Sequence, residues 1–182
     1  MRKIAVILLI MGSISASMAQ KNSVLLYGAL DAHSIELAGG EKYNAFSISP
    51  GLGYQFTDHW TAGVNLAFSS NKYDYNNDKE TSFGAGPFVR YAYPLSDIFA
   101  VYGQFNATVG SVDHNGVKAT HYSGVLFPAI GVNMKNGFAL NFNFGQLGYS
   151  NDKTKGENGT KNFVLSFGNG IGFGMSKNFG GK

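Results

Sequence analysis

Few residues in this 182-residue chain could carry proton, metal or nucleophile chemistry. There are four histidines, His33, His59, His114 and His121, and no cysteine. Imidazole titrates near neutrality and is the commonest metal ligand, so its spacing comes first. No pair forms HExxH or a close ligand set. Without thiols, disulfide staples and thiolate metal sites are excluded. His121 could meet a serine and a carboxylate after folding, as in a lipid-modifying hydrolase, but nothing in the sequence fixes that partnership. A solvated histidine is the plainer reading. His59 falls in a short polar turn. Asn151-Asp152-Lys153 is too irregular for a calcium loop. Asn158-Gly159-Thr160 matches the glycosylation triplet, whose meaning depends on compartment. The glycines show no phosphate-loop signature. Accordingly, no catalytic, cofactor-binding or metal-binding residue is assigned, no cofactor is expected, and the chain reads as a non-enzyme.

The composition points elsewhere. Charged residues make up 14% of the chain and hydrophobic residues 44%, with 25 Gly, 15 Phe and 10 Tyr. Soluble domains carry about 25% charge. So many aromatics argue against intrinsic disorder. Arg2 and Lys3 precede an apolar run from Ile4 to Met11, and Ser17-Met18-Ala19 places small residues before a cleavage bond at Ala19–Gln20. This is the grammar of a secretory signal peptide over residues 1–19, too short to span a bilayer as a helix. A buried helix is the other way to use such a run. Without that segment, 12 basic residues face 11 acidic ones. The formal charge of +3 is therefore partly a property of the leader, and it gives no argument for nucleic-acid binding.

Residues 20–182 read as one body with a hydrophobic period of two, the signature of strands. Phe138, Leu140, Phe142 and Phe144 alternate with Ala139, Asn141, Asn143 and Gly145. The same separation of faces recurs over Phe46–Phe56, Ala62–Phe68, Phe83–Tyr93, Val101–Val109, Val125–Asn133 and Phe163–Met175, and more noisily over Val24–Ala32. That predicts eight strands, several reaching the ~9–11 residues of a tilted membrane-spanning strand. Short turns at 57–60, 95–97 and 135–137 alternate with longer polar stretches around 35–42, 71–80, 113–119 and 150–158. Short turns on one rim and long loops on the other predict an all-β, eight-stranded antiparallel up-and-down transmembrane barrel, with the short turns on the periplasmic side. A soluble lipocalin-like barrel would turn the apolar face inward, and alternation alone does not choose. Strand length, the leader and two belts of aromatics choose the membrane form. Tyr54, Phe56, Trp60, Tyr91, Tyr93 and Phe138 fall near one rim, and Tyr43, Tyr73, Tyr75, Tyr122 and Tyr149 near the other.

The small-residue face then lines the interior. Tyr27, Phe88, Tyr102 and Phe127 are expected to fill it, with polar pockets around Asn65, Gln104 and Asn143. Gly168, Gly170, Gly172 and Gly174 are expected to relieve crowding and permit curvature. Arg90 interrupts this face and needs a partner, since a buried guanidinium must be satisfied. Asp31 shares its parity but lies toward the opposite rim. The charged loop residues Asp78, Lys79, Glu80, Lys153, Lys155 and Glu157 read as solvated surface.

The stretches "FSISPGLGYQFTDHWTAGVNLAFSS" at Phe46–Ser70, "TSFGAGPFVRYAYPL" at Thr81–Leu95 and "FALNFNFGQLGYS" at Phe138–Ser150 resemble the bacterial outer-membrane beta-barrel domain of the OmpX/OmpA type, especially small porin-family barrels of Bacteroidetes. The resemblance implies residence in the bacterial outer membrane as a multi-pass barrel among outer-membrane lipids, inserted by the outer-membrane assembly machinery. Phe179 would match the family's terminal aromatic, although Gly180-Gly181-Lys182 follow it. The implied function is a structural or surface-interaction barrel without a wide pore, monomeric, with an extracellular ligand reached through the loops and no nucleic-acid partner. The alternatives are transport of small solutes, hydrophobic ones included, and a lipid-modifying outer-membrane hydrolase.

Overall fold

The computed structural model describes residues 21–74, 77–154 and 158–180, excluding the side chains of 169–171. The expected leader at 1–19 and the belt residue Tyr75 lie outside the described residues. Eight strands follow in order: β1 (Ser23–Glu36), β2 (Lys42–Gln55), β3 (Trp60–Tyr73), β4 (Asp78–Pro94), β5 (Phe99–His114), β6 (Val117–Asn133), β7 (Phe138–Thr154) and β8 (Thr160–Phe179). Each pairs antiparallel with the next, and β8 returns to β1 to close the barrel. All eight expected strands are present, and each is longer than its alternating core suggested.

The faces separate as the period of two requires. Leu52, Val64, Leu66, Phe83, Phe105 and Leu126 stand on the outside. Phe88, Tyr102, Thr61, Asn65, Arg90, Gln104 and Asn141 are buried inside. The exterior is apolar and the interior largely polar, which rules out the lipocalin-like arrangement. Among the described residues no helix is long and apolar enough to cross a membrane. The strands are the elements that bring an apolar surface to lipid.

Both aromatic belts form. At the rim of the 56–59, 95–98 and 134–137 turns, Trp60 meets Tyr91 edge-on at 4.9 Å and His59 stacks on Tyr93 at 5.8 Å. At the opposite rim Tyr43 lies 4.5 Å from Tyr73, while Tyr122 and Tyr149 are exposed. Tyr and Trp rings suit these levels because the ring meets lipid while the polar tip meets water.

The connections differ from expectation. Much of the polar sequence around 71–80, 113–119 and 150–158 is strand rather than loop, whereas 37–41 is a connection as expected. Asn71, Lys72 and Tyr73 pair with Glu80, Lys79 and Asp78, and the Ser69 and Ser82 hydroxyls lie 2.7 Å apart. Polar side chains do not end a strand whose backbone is paired across a hairpin. The β5–β6 connection shrinks to Asn115 and Gly116, both at positive φ (50° and 87°), between the paired residues His114 and Val117. That Asn-Gly doublet is the favoured composition for a two-residue hairpin, where the sequence reading expected a longer loop.

Register breaks in two places. The β6–β7 ladder shifts between Leu126 and Ala129, and the β7–β8 ladder between Asn143 and Gly145. Because one residue of slip exchanges faces, the outward set on β7 moves from Leu140 and Phe142 to Leu147 and Tyr149. Gly168, at φ 70°, sits at the β8 side of the second break; a Cβ there would meet open space, so its role is a backbone one, and the expected relief of crowding falls on Gly172, where a Cβ would overlap the Asn143 side chain. Interior relief is clearest on β2. A Cβ at Gly51 would overlap the Tyr27 ring, and one at Gly53 would crowd the end of Phe88.

An arginine on the outer face near the bilayer midplane costs about 2–4 kcal/mol in such barrels. Leu66→Arg is therefore expected to lower the folding free energy in lipid vesicles by that amount. Ser49→Arg points into an interior cavity and is expected to cost less. Denaturant titrations of the two variants check the assignment; a larger penalty at 49 would reverse the faces.

Candidate functional site

The candidate site is a polar layer spanning the barrel's interior. Arg90 on β4 stands directly across from Gln104 on β5. Its Nε donates to Gln104 Oε1 at 2.7 Å. Gln104 is fully buried, and its Nε2 donates to Tyr27 Oη at 2.9 Å and to Asn106 Oδ1 at 2.8 Å. The Arg90 guanidinium carbon lies 4.2 Å from the Tyr102 ring centroid and 5.0 Å from that of Tyr27. Phe88 closes the Tyr27 edge at 5.1 Å. Tyr102 Oη donates to Asn141 Oδ1 at 3.1 Å, and Asn141 Nδ2 donates to Ser176 Oγ at 2.9 Å. The chain of contacts thus runs from β1 through β4 and β5 to β7 and β8.

This arrangement answers the question the sequence left open about Arg90. Among the described residues no ion pair involves it. A guanidinium 7% exposed would be costly if unsatisfied; here an amide oxygen takes one donor and two aromatic faces take the charge. Asp31 is not its partner: it pairs with His33 at 2.8 Å in an exposed position. Tyr27, Phe88 and Tyr102 occupy the interior as expected, and Phe127 lines it.

The layer divides the interior. On the turn-rim side a cavity of about 170 Å³ is bounded by Leu25, Gln55, Thr61 and Asn133. On the other side a cavity of about 280 Å³ is bounded by Ser49, Asn65, Phe127, Asn143 and Gln146. Arg90, Tyr102 and Asn141 border both. The polar pockets expected at Asn65, Gln104 and Asn143 therefore resolve into a hub at Gln104 and a cavity wall at the other two. The Asn65 side-chain oxygen is buried without a hydrogen-bond partner among the described residues.

The histidines are dispersed. His59 Nδ1 lies 2.9 Å from the Ala92 carbonyl oxygen and braces the β2–β3 turn. His114 approaches Asp78 at 3.1 Å and Glu80 at 3.7 Å. His121 Nδ1 sits 2.6 Å from Asp152 Oδ1, the juxtaposition the hydrolase reading needed for a base and its orienting carboxylate. Ser123 lies two residues along the same strand, and no hydrogen bond joins a serine hydroxyl to His121 among the described residues. Strand register, which brings His121 opposite Asp152, was the missing signal. Among the described residues no group of three His, Cys, Asp or Glu side chains could hold a metal.

The sequence matches the model of the outer membrane protein beta-barrel domain over residues 4–180. No curated protein sequence matches it. Among solved structures it is similar to neisserial surface protein A, at 17% identity and TM-score 0.45, covering 86% of this chain and 97% of that one. It is also similar to the Yersinia pestis outer membrane protein Ail in a phospholipid nanodisc, at 11% identity and TM-score 0.36, covering 88% of this chain and 100% of that one. A de novo designed transmembrane beta-barrel aligns at 8% identity and TM-score 0.39, covering 91% of this chain and 100% of that one. The eight-strand topology of this chain rests on its own strand pairing.

Gln104 holds the layer together, and its removal leaves Arg90 without its amide acceptor. Gln104→Ala is expected to destabilise the folded barrel by about 2–3 kcal/mol, the range for a buried polar group stranded beside a charge. Guanidinium unfolding in lipid vesicles measures it. A loss below about 0.5 kcal/mol would show that water replaces the amide without cost.

Proposed function

The chain belongs to the outer membrane protein beta-barrel domain family, and on that premise we propose that it is a structural or surface-interaction barrel without a wide pore. It is a multi-pass barrel of the bacterial outer membrane. The observation that carries the functional reading is the Arg90–Gln104–Tyr27–Tyr102 layer. Hydrogen bonds and ring contacts fill the middle of the lumen and separate its two cavities. An eight-stranded barrel leaves an interior that side chains can fill, and this layer does so. Steady diffusion of hydrophilic solutes has no open path through it.

Within this reading the closer affinity is with the OmpX/OmpA type and with the small porin-family barrels of Bacteroidetes. Residues 1–19 direct secretion and are removed, and residues 20–182 insert as one monomeric barrel through the outer-membrane assembly machinery. Phe179, paired with Val24 at the end of β8, supplies the terminal aromatic. Outer-membrane lipids cover the apolar face. The rim at Glu36, Lys42, Tyr73, Asp78, His114, Val117, Thr154 and Thr160 faces outside, and the polar stretches 71–80 and 150–158 carry the surface contacts. The His121–Asp152 pair, with no serine hydroxyl bonded to His121 among the described residues, serves in this reading as a cross-strand pair on a hairpin rather than as half of a hydrolase site.

Two measurements test this. Single cysteines at Lys79→Cys and Lys135→Cys, labelled on intact cells with an impermeant thiol reagent, are expected to react at 79 and not at 135; the reverse would invert the orientation. In planar bilayers the purified barrel is expected to give no steady open-channel current. Reproducible current from folded protein, absent from a misfolded control, would replace the structural reading with small-solute transport.

A further inference from the structure

The ladder that closes the barrel is short. β1 and β8 pair from Val24↔Phe179 to Gly28↔Met175, and among the described residues no pair extends beyond that point. On its other side β1 stays paired with β2 as far as Glu36↔Lys42. β8 pairs with β7 on both sides of the register break, from Lys177 to Gly172 and again from Phe167 to Thr160. The hairpin-rim portions of β1 and β8 therefore each have one bonded edge, and a seam runs between them.

The seam opens at membrane depth. Leu30 pairs with Ile48, Ile48 with Phe68, and Phe68 with Phe83, a row of outward apolar side chains at the level where pairing has stopped. Outside the seam, Leu30, Ile48, Pro50, Phe173 and Met175 border an apolar groove of about 260 Å³. Inside it lies the 280 Å³ cavity that reaches Arg90. Gly28, Ala29, Phe173, Gly174 and Met175 border both spaces. The wall at the end of the ladder is thus built largely of residues with little or no side chain.

Chemistry on the two sides is complementary to one kind of molecule. The groove is apolar. The cavity holds a buried guanidinium whose contacts among the described residues are an amide and two rings and no carboxylate, and a guanidinium's planar fork suits a carboxylate. Asn65, whose side-chain oxygen is buried without a hydrogen-bond partner among the described residues, borders the same cavity and carries an amide N–H that can donate to an anion. Unpaired backbone groups at the seam, costly against hydrocarbon, lie along the path of such a head. We propose that the hairpin-side cavity binds a single-chain anionic amphiphile, which enters from the bilayer through the β1–β8 seam with its carboxylate on Arg90 and its chain leaving through the Leu30–Phe173 groove. This goes beyond the structural role, since a bound amphiphile neither requires nor creates conductance.

The test uses the barrel purified from the outer membrane in nanodiscs, with decanoate as the probe and decyltrimethylammonium as the cationic control. Titration calorimetry against empty nanodiscs is expected to show a saturable one-to-one component for decanoate and none for the cation. Arg90→Gln is expected to weaken decanoate binding about tenfold or more, the loss of one charge-assisted contact. A second arm leaves Arg90 intact. A Cβ placed on Gly174 lies 3.8 Å from that of Ala29, within disulfide range. The described chain has no competing thiol. In the Ala29→Cys/Gly174→Cys variant, oxidation is expected to abolish the saturable component and reduction to restore it. Partition heat equal to that of empty nanodiscs, or equal binding of the cation, would overturn the site. Binding unchanged by oxidation would overturn the lateral route. Should Arg90→Gln fail to fold, the redox pair still decides.

Discussion

Hydrocarbon offers no hydrogen bonds, so each backbone N–H or C=O left without a partner at membrane depth is costly. For strands this means closure, and closure here depends on the five pairs from Val24↔Phe179 to Gly28↔Met175. The other neighbouring strands share longer ladders. Once the sheet closes, the period of two gives each face one environment. Leucine, valine and phenylalanine can stand outward in lipid only because Asn65, Arg90, Gln104 and Asn141 stand inward on neighbouring positions.

The interior answers a second constraint, a narrow space that must hold polar groups without leaving them stranded. Gln104 meets it by serving three neighbours at once, Arg90, Tyr27 and Asn106. The layer requires bulk on β1, β4 and β5 and its absence on β2, where Gly51 and Gly53 leave room for the Tyr27 and Phe88 rings. Filling the middle of the barrel and leaving cavities on either side are consequences of the same packing. The cation at its centre is held by amide and aromatic contacts, with no carboxylate paired to it among the described residues, and Arg90 borders both cavities.

Alternation made the eight strands, their apolar faces and most of the interior aromatics legible in the sequence, because each depends on local periodicity. What escaped it depends on register. The partner of Arg90 is whichever residue β5 places opposite, and the pairing of His121 with Asp152 follows from β6 and β7 in the same way. The slip near Leu147 left a visible trace, an apolar set that changes from even to odd positions, but its cause lies in the neighbouring ladders. Hairpin length was misread where polarity was taken as loop: Asn115-Gly116 carried the turn, while the charged residues around it belong to strands. The short reach of the β1–β8 ladder joins the two ends of the described chain, and no local pattern encodes it.

Closure is most directly tested by amide hydrogen exchange, resolved by residue in lipid nanodiscs. Amides that bond across the Val24–Gly28 and Met175–Phe179 ladder are predicted to exchange as slowly as those in the middle of β3, β4 and β5. Amides of β1 beyond Gly28 that point toward β8 are predicted to exchange much faster, marking the seam. Rapid exchange throughout the 24–28 ladder would contradict a closed barrel, and uniform protection along the whole of β1 and β8 would contradict the seam.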